Sequence, residues 1–174
     1  MFVLDSTAGN VTWGEFRLGA YLTQDKFSQK YPQIPVVEER YYTSDSTIKT
    51  YQLPSMIMGE QAIVVRPRFF GQHFEAIHIE RMASANNEDQ DRESERWWRE
   101  ELKWLLKARD LVQEQLGTPY FTEYPELLYE AEFYPKKFLD QLQNWEYRFS
   151  WGKAGIAYVS EDLVCRIWIG YAQP

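Results

Sequence analysis

Apolar and polar residues alternate most cleanly between Ala62 and Met82, in the stretch AIVVRPRFFGQHFEAIHIERM. Alternation of this kind marks strands with one buried face, and the glycine in the middle marks a turn. The side-chain period of two then decides the register. A two-residue turn at Gly71-Gln72 would set Arg66 opposite Ile77 and mix polar with apolar residues on one face. A three-residue turn, Gly71-Gln72-His73, sets Val65 opposite Ile79, Pro67 opposite Ile77 and Phe69 opposite Glu75. Ile63, Val65, Phe69, Ile77 and Ile79 then share a core face, so the three-residue turn is the expectation. The other face carries Arg66, Arg68, His78 and Glu80, with Arg66 opposite His78.

Further on, the period changes to that of a helix. Over roughly Glu93–Leu116, Trp98, Leu102, Leu105, Val112 and Leu116 form one stripe, interrupted by Arg109. Trp97, Trp104 and Leu111 form a second stripe, and Gly117 with Pro119 beyond it ends the helix. Together the stripes cover more than half the circumference, which one sheet face cannot bury. The Trp97/Trp104/Leu111 side must therefore pack against the segment 118–138, the N-terminal segment or another chain.

The remaining pattern is shorter. Trp13, Phe16 and Leu18 precede Gly19, and Thr23 caps a short helix through Asp25, Phe27 and Lys30 that stops at Pro32. Residues 32–55, with Pro32, Pro35, Pro54 and TSDST, read as mostly loop with a strand near Ile48–Leu53. Ser84–Glu95, SANNEDQDRESE, reads as a solvated, acidic, mobile linker. After the Tyr-rich stretch 118–138 comes a short helix at Phe138–Trp145. A final hairpin then runs from Tyr147 to Tyr171, turning near Ser160-Glu161-Asp162. No internal repeat occurs. The sum is one α+β domain over residues 1–174, an antiparallel sheet packed on the long helix of about 93–116. The hairpins at 62–82 and 147–171, with strands from the N-terminal half, make about five to six strands.

Composition narrows the class. The 174 residues are 44% hydrophobic and 17% aromatic, enough for a packed core. No apolar run approaches the ~20 residues of a membrane helix. The opening Met1-Phe2-Val3-Leu4-Asp5-Ser6 lacks the basic and apolar regions of a secretory signal. Cys165 is the single cysteine, which excludes an internal disulfide and points to a reducing, cytoplasmic setting. The formal charge of −7 disfavours nucleic acid and anionic membranes as partners. It suits a basic protein, and equally it serves ordinary solubility.

Candidate chemistry is sparse. Gly152-Lys153-Ala154-Gly155 superficially resembles a phosphate loop, but such glycines must open a helix. Here they open the alternating stretch IAYVSEDLVCRIWIGY, and Ala154 stands where a magnesium-binding hydroxyl belongs. A bend or bulge in a strand is the reading. Two histidines and one cysteine without ligand spacing exclude a typical zinc site, and the acidic linker lacks the glycine of a calcium loop. No metal and no cofactor are expected. Cys165 alternates with Ile167 and Ile169 and reads as a buried small hydrophobe. Arg66, Arg68, His78 and Glu80 form the most catalytic-looking cluster, because a carboxylate can hold a histidine tautomer and arginine can grip an anion. The bland reading is the solvated face of an antiparallel sheet.

The stretch TPYFTEYPELLYEAEFYP sets Tyr120, Tyr124 and Tyr129 among Glu126, Glu130 and other acids. Aromatic with acidic points to a protein interface for a basic partner, against the bland reading of a loop packed by its own rings. The size, the acidity, the strand–helix–strand order and the missing catalytic set resemble small cytoplasmic immunity proteins, which neutralise bacterial toxins. That resemblance implies a non-catalytic domain binding a basic toxin or nuclease; the residue pattern itself offers Tyr120, Tyr124, Glu126, Tyr129, Glu130, Trp97 and Trp104 as the partner surface. The alternative is a small-molecule-binding domain or enzyme using Arg66, Arg68, His78 and Glu80. A third reading is a homo-oligomer that buries Trp97 and Trp104.

Overall fold

A computed structural model of the chain describes residues 2–43, 46–58, 61–82, 95–117, 139, 145–159 and 164–172. It is an α+β fold. Three short strands, β1 (Phe2–Leu4), β2 (Val11–Trp13) and β3 (Phe16–Leu18), precede helix α1 (Gln24–Lys30). Then come β4 (Val36–Thr43), β5 (Ser46–Tyr51), β6 (Met56–Met58), β7 (Gln61–Phe70) and β8 (His73–Arg81). Helix α2 (Glu95–Leu116) leads towards β9 (Trp145–Phe149), β10 (Gly152–Val159) and β11 (Val164–Tyr171). Among the described residues, β1–β3 form a small antiparallel sheet. The other eight strands form a large one in the order β4-β5-β7-β8-β11-β10-β9, with β6 also paired to β7.

The large sheet exceeds the five to six strands expected, chiefly because residues 32–55 are not mostly loop. Pro35 and Pro54 flank the strands of this stretch instead of interrupting them, which leaves eight residues for β4. This edge strand carries Glu38, Glu39 and Arg40 and two register shifts against β5, features that resist pairing with a further chain.

The β7–β8 hairpin has the expected body and a different end. Val65 pairs with Ile79, Arg66 with His78 and Pro67 with Ile77. The chain turns at Gly71-Gln72, however, where Phe70 pairs with His73. A bulge reconciles the two: Arg68 pairs with Ala76 and Phe69 with Phe74, leaving Glu75 as the extra residue. Phe74 and Ile77, three apart, can then both reach the core. Gly71 takes φ +55° in this turn. The turn also caps α1, since the Gln72 carbonyl accepts from the Gln24 amide at 3.1 Å and Gln72 Oε1 from the Asp25 amide at 3.2 Å. Thr23 is the N-cap, its hydroxyl accepting from the Lys26 amide.

Strands β9, β10 and β11 lie side by side, antiparallel, in place of a single hairpin. The pairs from Gly152–Tyr171 to Val159–Val164 run without a shift, so Gly152-Lys153-Ala154-Gly155 is paired strand without a bulge, its backbone irregular at Gly152. Gly152 is required there: its φ is +149°, and a Cβ would stand 2.1 Å from the Gly170 carbonyl oxygen. The expected turn at 160–162, most of the expected helix at 138–145 and all but Glu95 of the expected linker lie outside the described residues.

Helices α1 and α2 and the small sheet share one core with the inner face of the large sheet. Helix α2 packs on β10 and β11, and its C-terminal end also meets β1, where the Leu4 amide donates to Gln115 Oε1 at 2.5 Å. The N-terminal segment is thus part of the helix's cover. Gly117, at φ +76°, closes α2 with its amide on the Gln113 carbonyl. No described helix is long and apolar enough to cross a membrane.

A carboxylate also sits inside this core, that of Glu101, 1% exposed. The β8–β11 ladder runs no further than Glu80–Arg166, and Cys165, the next residue of β11, turns to α2 for its backbone bonds. Its amide donates to Glu101 Oε2 at 2.7 Å, and its carbonyl accepts from Trp104 Nε1 at 2.9 Å. Arg81, at the end of β8, donates Nε and Nη2 to Glu101 Oε1 at 2.8 and 2.6 Å. Burial pushes the Glu101 carboxyl above its ordinary range, while Arg81 and the Cys165 amide pull it back.

Replacing Glu101 by alanine leaves a nearly buried guanidinium without its carboxylate and a buried amide without its acceptor. Glu101→Ala is expected to cost about 3–5 kcal/mol in urea unfolding, and less in an Arg81→Met background where no charge is stranded. Simple additivity of the two changes would contradict this coupling.

Candidate functional site

The pairing that buries Val65, Ile77 and Ile79 turns Arg66, Arg68, His78 and Glu80 to the outer face, as one cluster. Strand β11 enlarges it. Trp168 pairs with His78 and Arg166 with Glu80, so one row runs Arg66–His78–Trp168 and the next Val64–Glu80–Arg166. Glu80 is 3% exposed, with Arg66 Nη1 on Oε2 and Arg166 Nε on Oε1. Arg66 Nε also donates to Gln52 Oε1 at 3.3 Å. Arg68 Nε lies 2.6 Å from Oε2 of Glu75, the bulge residue.

This arrangement decides the chemistry open to the cluster. Both oxygens of Glu80 are taken by guanidinium groups, so the carboxylate holds arginines rather than orienting the histidine. Desolvation, with Arg166, Arg68 and Arg66 adding positive charge nearby, drives the His78 pKa down to about 3. The imidazole is therefore neutral near pH 7, with one ring nitrogen donating and one accepting. A face of this kind can hold an anion or a polar group. Among the described residues this face presents no nucleophile with a base beside it.

Arg166, Trp168, Gln52 and Glu75 were absent from the cluster read off the sequence. The alternation of β11 carries the signal for two of them: if Cys165, Ile167 and Ile169 face inward, Arg166 and Trp168 face outward. Placing them beside His78 needs the β8–β11 pairing, which joins residues more than 80 positions apart.

The expected partner surface is divided. Tyr120, Tyr124, Glu126, Tyr129 and Glu130 lie outside the described residues. Trp104 is fully buried with its indole N–H on the Cys165 carbonyl, which takes it off the surface. A helix rotated to set Glu101 on Cys165 also sends Trp104 inward. Trp97 is half-buried, with the Arg81 guanidinium 4.6 Å above its ring. Cys165 is fully buried, and burial raises its thiol well above the ordinary value. Among the described residues no group of three or more His, Cys, Asp or Glu side chains is placed to hold a metal ion. No family model matches the chain, and neither a curated protein nor a solved structure matches it.

Two outcomes follow from this geometry. Cys165 should react with a thiol reagent only as fast as the protein opens, and Cys165→Ala should cost about 1–2 kcal/mol through lost packing. Rapid labelling of the native protein would contradict the burial. His78 generates a pH dependence. Below 6.5 the unfolded chain takes up a proton that the folded chain refuses until about pH 3. Stability is thus lost as pH falls through that window, at up to about 1.4 kcal/mol per pH unit. His78→Gln should remove this component, so urea unfolding of wild type and variant should diverge between about pH 6.5 and 4. Parallel curves would show that His78 titrates alike in both states.

Proposed function

We propose that the chain is a non-catalytic, cytoplasmic protein-binding domain of the kind represented by bacterial immunity proteins, holding a basic toxin or nuclease by direct contact. The observation that carries this reading is the engagement of Glu80: the one carboxylate near a histidine in the expected catalytic cluster is committed through both oxygens to Arg66 and Arg166. The only cysteine is buried as well. What supports a basic partner is the excess of 26 acidic over 19 basic residues, a field that steers a cationic protein into contact. Tyrosines among glutamates supply ring area and charge in the stretch 118–138.

The test separates steering from holding. A partner is recovered from host extract and purified, and its kinetics on the immobilised chain are measured. Glu126→Lys with Glu130→Lys should slow association and weaken its salt dependence. Tyr124→Ala or Tyr129→Ala should chiefly speed dissociation, by a factor equivalent to about 2 kcal/mol if the ring is central to the contact. A partner that binds all of these variants like wild type would remove 118–138 from the interface.

A further inference from the structure

We propose that the outer sheet face binds a small planar oxyanion, an aromatic ring bearing a phosphate or carboxylate, over Ala76, with Arg68 and Arg66 on the anion and Trp168 against the ring. Each strand contributes one feature. Ala76 of β8 pairs with Arg68 of β7 on one side and Gly170 of β11 on the other. Two neighbouring positions of this face therefore carry almost no side chain. A Cβ built on Gly170 would meet Cζ3 and Cε3 of Trp168 at 3.8 and 3.9 Å, so the indole lies down along β11 beside that low point. It forms a wall or platform for a flat ring.

The donors are in place. Arg68 uses Nε towards Glu75 and Arg66 uses Nη1 and Nε, so both Nη groups of Arg68 and Nη2 of Arg66 carry no hydrogen bond among the described residues. The Arg68–Glu75 contact is close, yet neither Arg68 Nε nor Glu75 Oε2 makes a directed hydrogen bond in it. A well-oriented oxyanion offers Arg68 a better acceptor. His78 stands between Arg66 and Trp168 as a neutral ring with one N–H to give. Both described helices pack on the opposite face; on this one Ala76, His78, Trp168 and Gly170 are half-buried, while Val64, Thr50 and Glu80 are buried.

Charge limits the size of the occupant. The chain carries −7 overall, so a polyanion such as nucleic acid is repelled at long range while a single charged group is held locally by the guanidiniums. This site does not depend on the protein partner, and either reading can fail alone.

Phenyl phosphate and benzoate serve as probes, with inorganic phosphate and phenol as the half-ligands, followed by amide and indole NMR shifts. At least one probe is expected to saturate with a dissociation constant on the order of 1 mM, the range open to so few atoms. Arg68→Met should weaken it about tenfold or more, and Arg68→Lys, which keeps the charge but loses the fork, by less. Trp168→Leu should weaken the aromatic probe several-fold and leave inorganic phosphate unchanged. The proposal is overturned if neither probe saturates below about 10 mM, if Arg68→Met binds like wild type, or if the shifts map away from Trp168.

Discussion

A carboxylate inside the core holds the two layers of this protein in place. Taking Glu101 out of water costs several kcal/mol, and the group stays only where its bonds are met. Here two come from Arg81 at the end of β8 and one from the Cys165 amide at the start of β11. A helix packed by apolar contact alone could rotate or slide by a residue at modest cost. This helix cannot, because any shift strands a charge. The same rotation sends Trp104 into the core and leaves Trp97 at its margin under Arg81.

With α2 fixed, the rest of the inner layer closes round it. A path of ring contacts runs from Phe16 through Tyr31 and Phe27 to Phe69, then through Phe74, Tyr171 and Trp151 to Phe149. It joins the small sheet, α1 and the far strands of the large sheet. The loop between β1 and β2 is pinned at the last of these, where Tyr171 donates to the Gly9 carbonyl and Trp151 to the Ser6 carbonyl. Gly9 is needed at that contact: its φ is +69°, and a Cβ would fall 2.5 Å from the Trp151 ring. Residues separated by the length of the chain thereby share one core.

The two faces of the large sheet handle charge in parallel ways. Glu101 on the inner side and Glu80 on the outer side are both nearly inaccessible, and both are met by arginine. Glu101 is spent entirely on joining layers. Glu80 instead holds Arg66 and Arg166 beside His78, and desolvation, with the field of the arginines added to it, keeps that histidine unprotonated. A face built from guanidiniums, a neutral imidazole and an indole suits recognition, which asks for fixed donors and a flat surface rather than for a proton carrier.

What the sequence determined by itself is whatever depends on short-range period and local sterics. The alternation from Ala62 to Met82 sufficed for the pairing of Val65 with Ile79 and the shared face of Arg66 and His78, because a slip of one residue would expose the core. The 3.6 period with Gly117 placed α2, and Thr23 placed α1. The bulge at Glu75 was invisible, since a two-residue turn plus a bulge leaves the same pairs beyond the bulge as a longer turn. The strand β4 was hidden by the prolines around it. Only the tertiary structure decided that β11 lies beside β8, that β1 meets α2, and that Glu101, on the helix's apolar side, meets Arg81 and Cys165. Those contacts join residues 20 to more than 100 positions apart. Their energy comes from satisfying buried charge and backbone groups, and a periodic pattern carries no record of which distant group will do so.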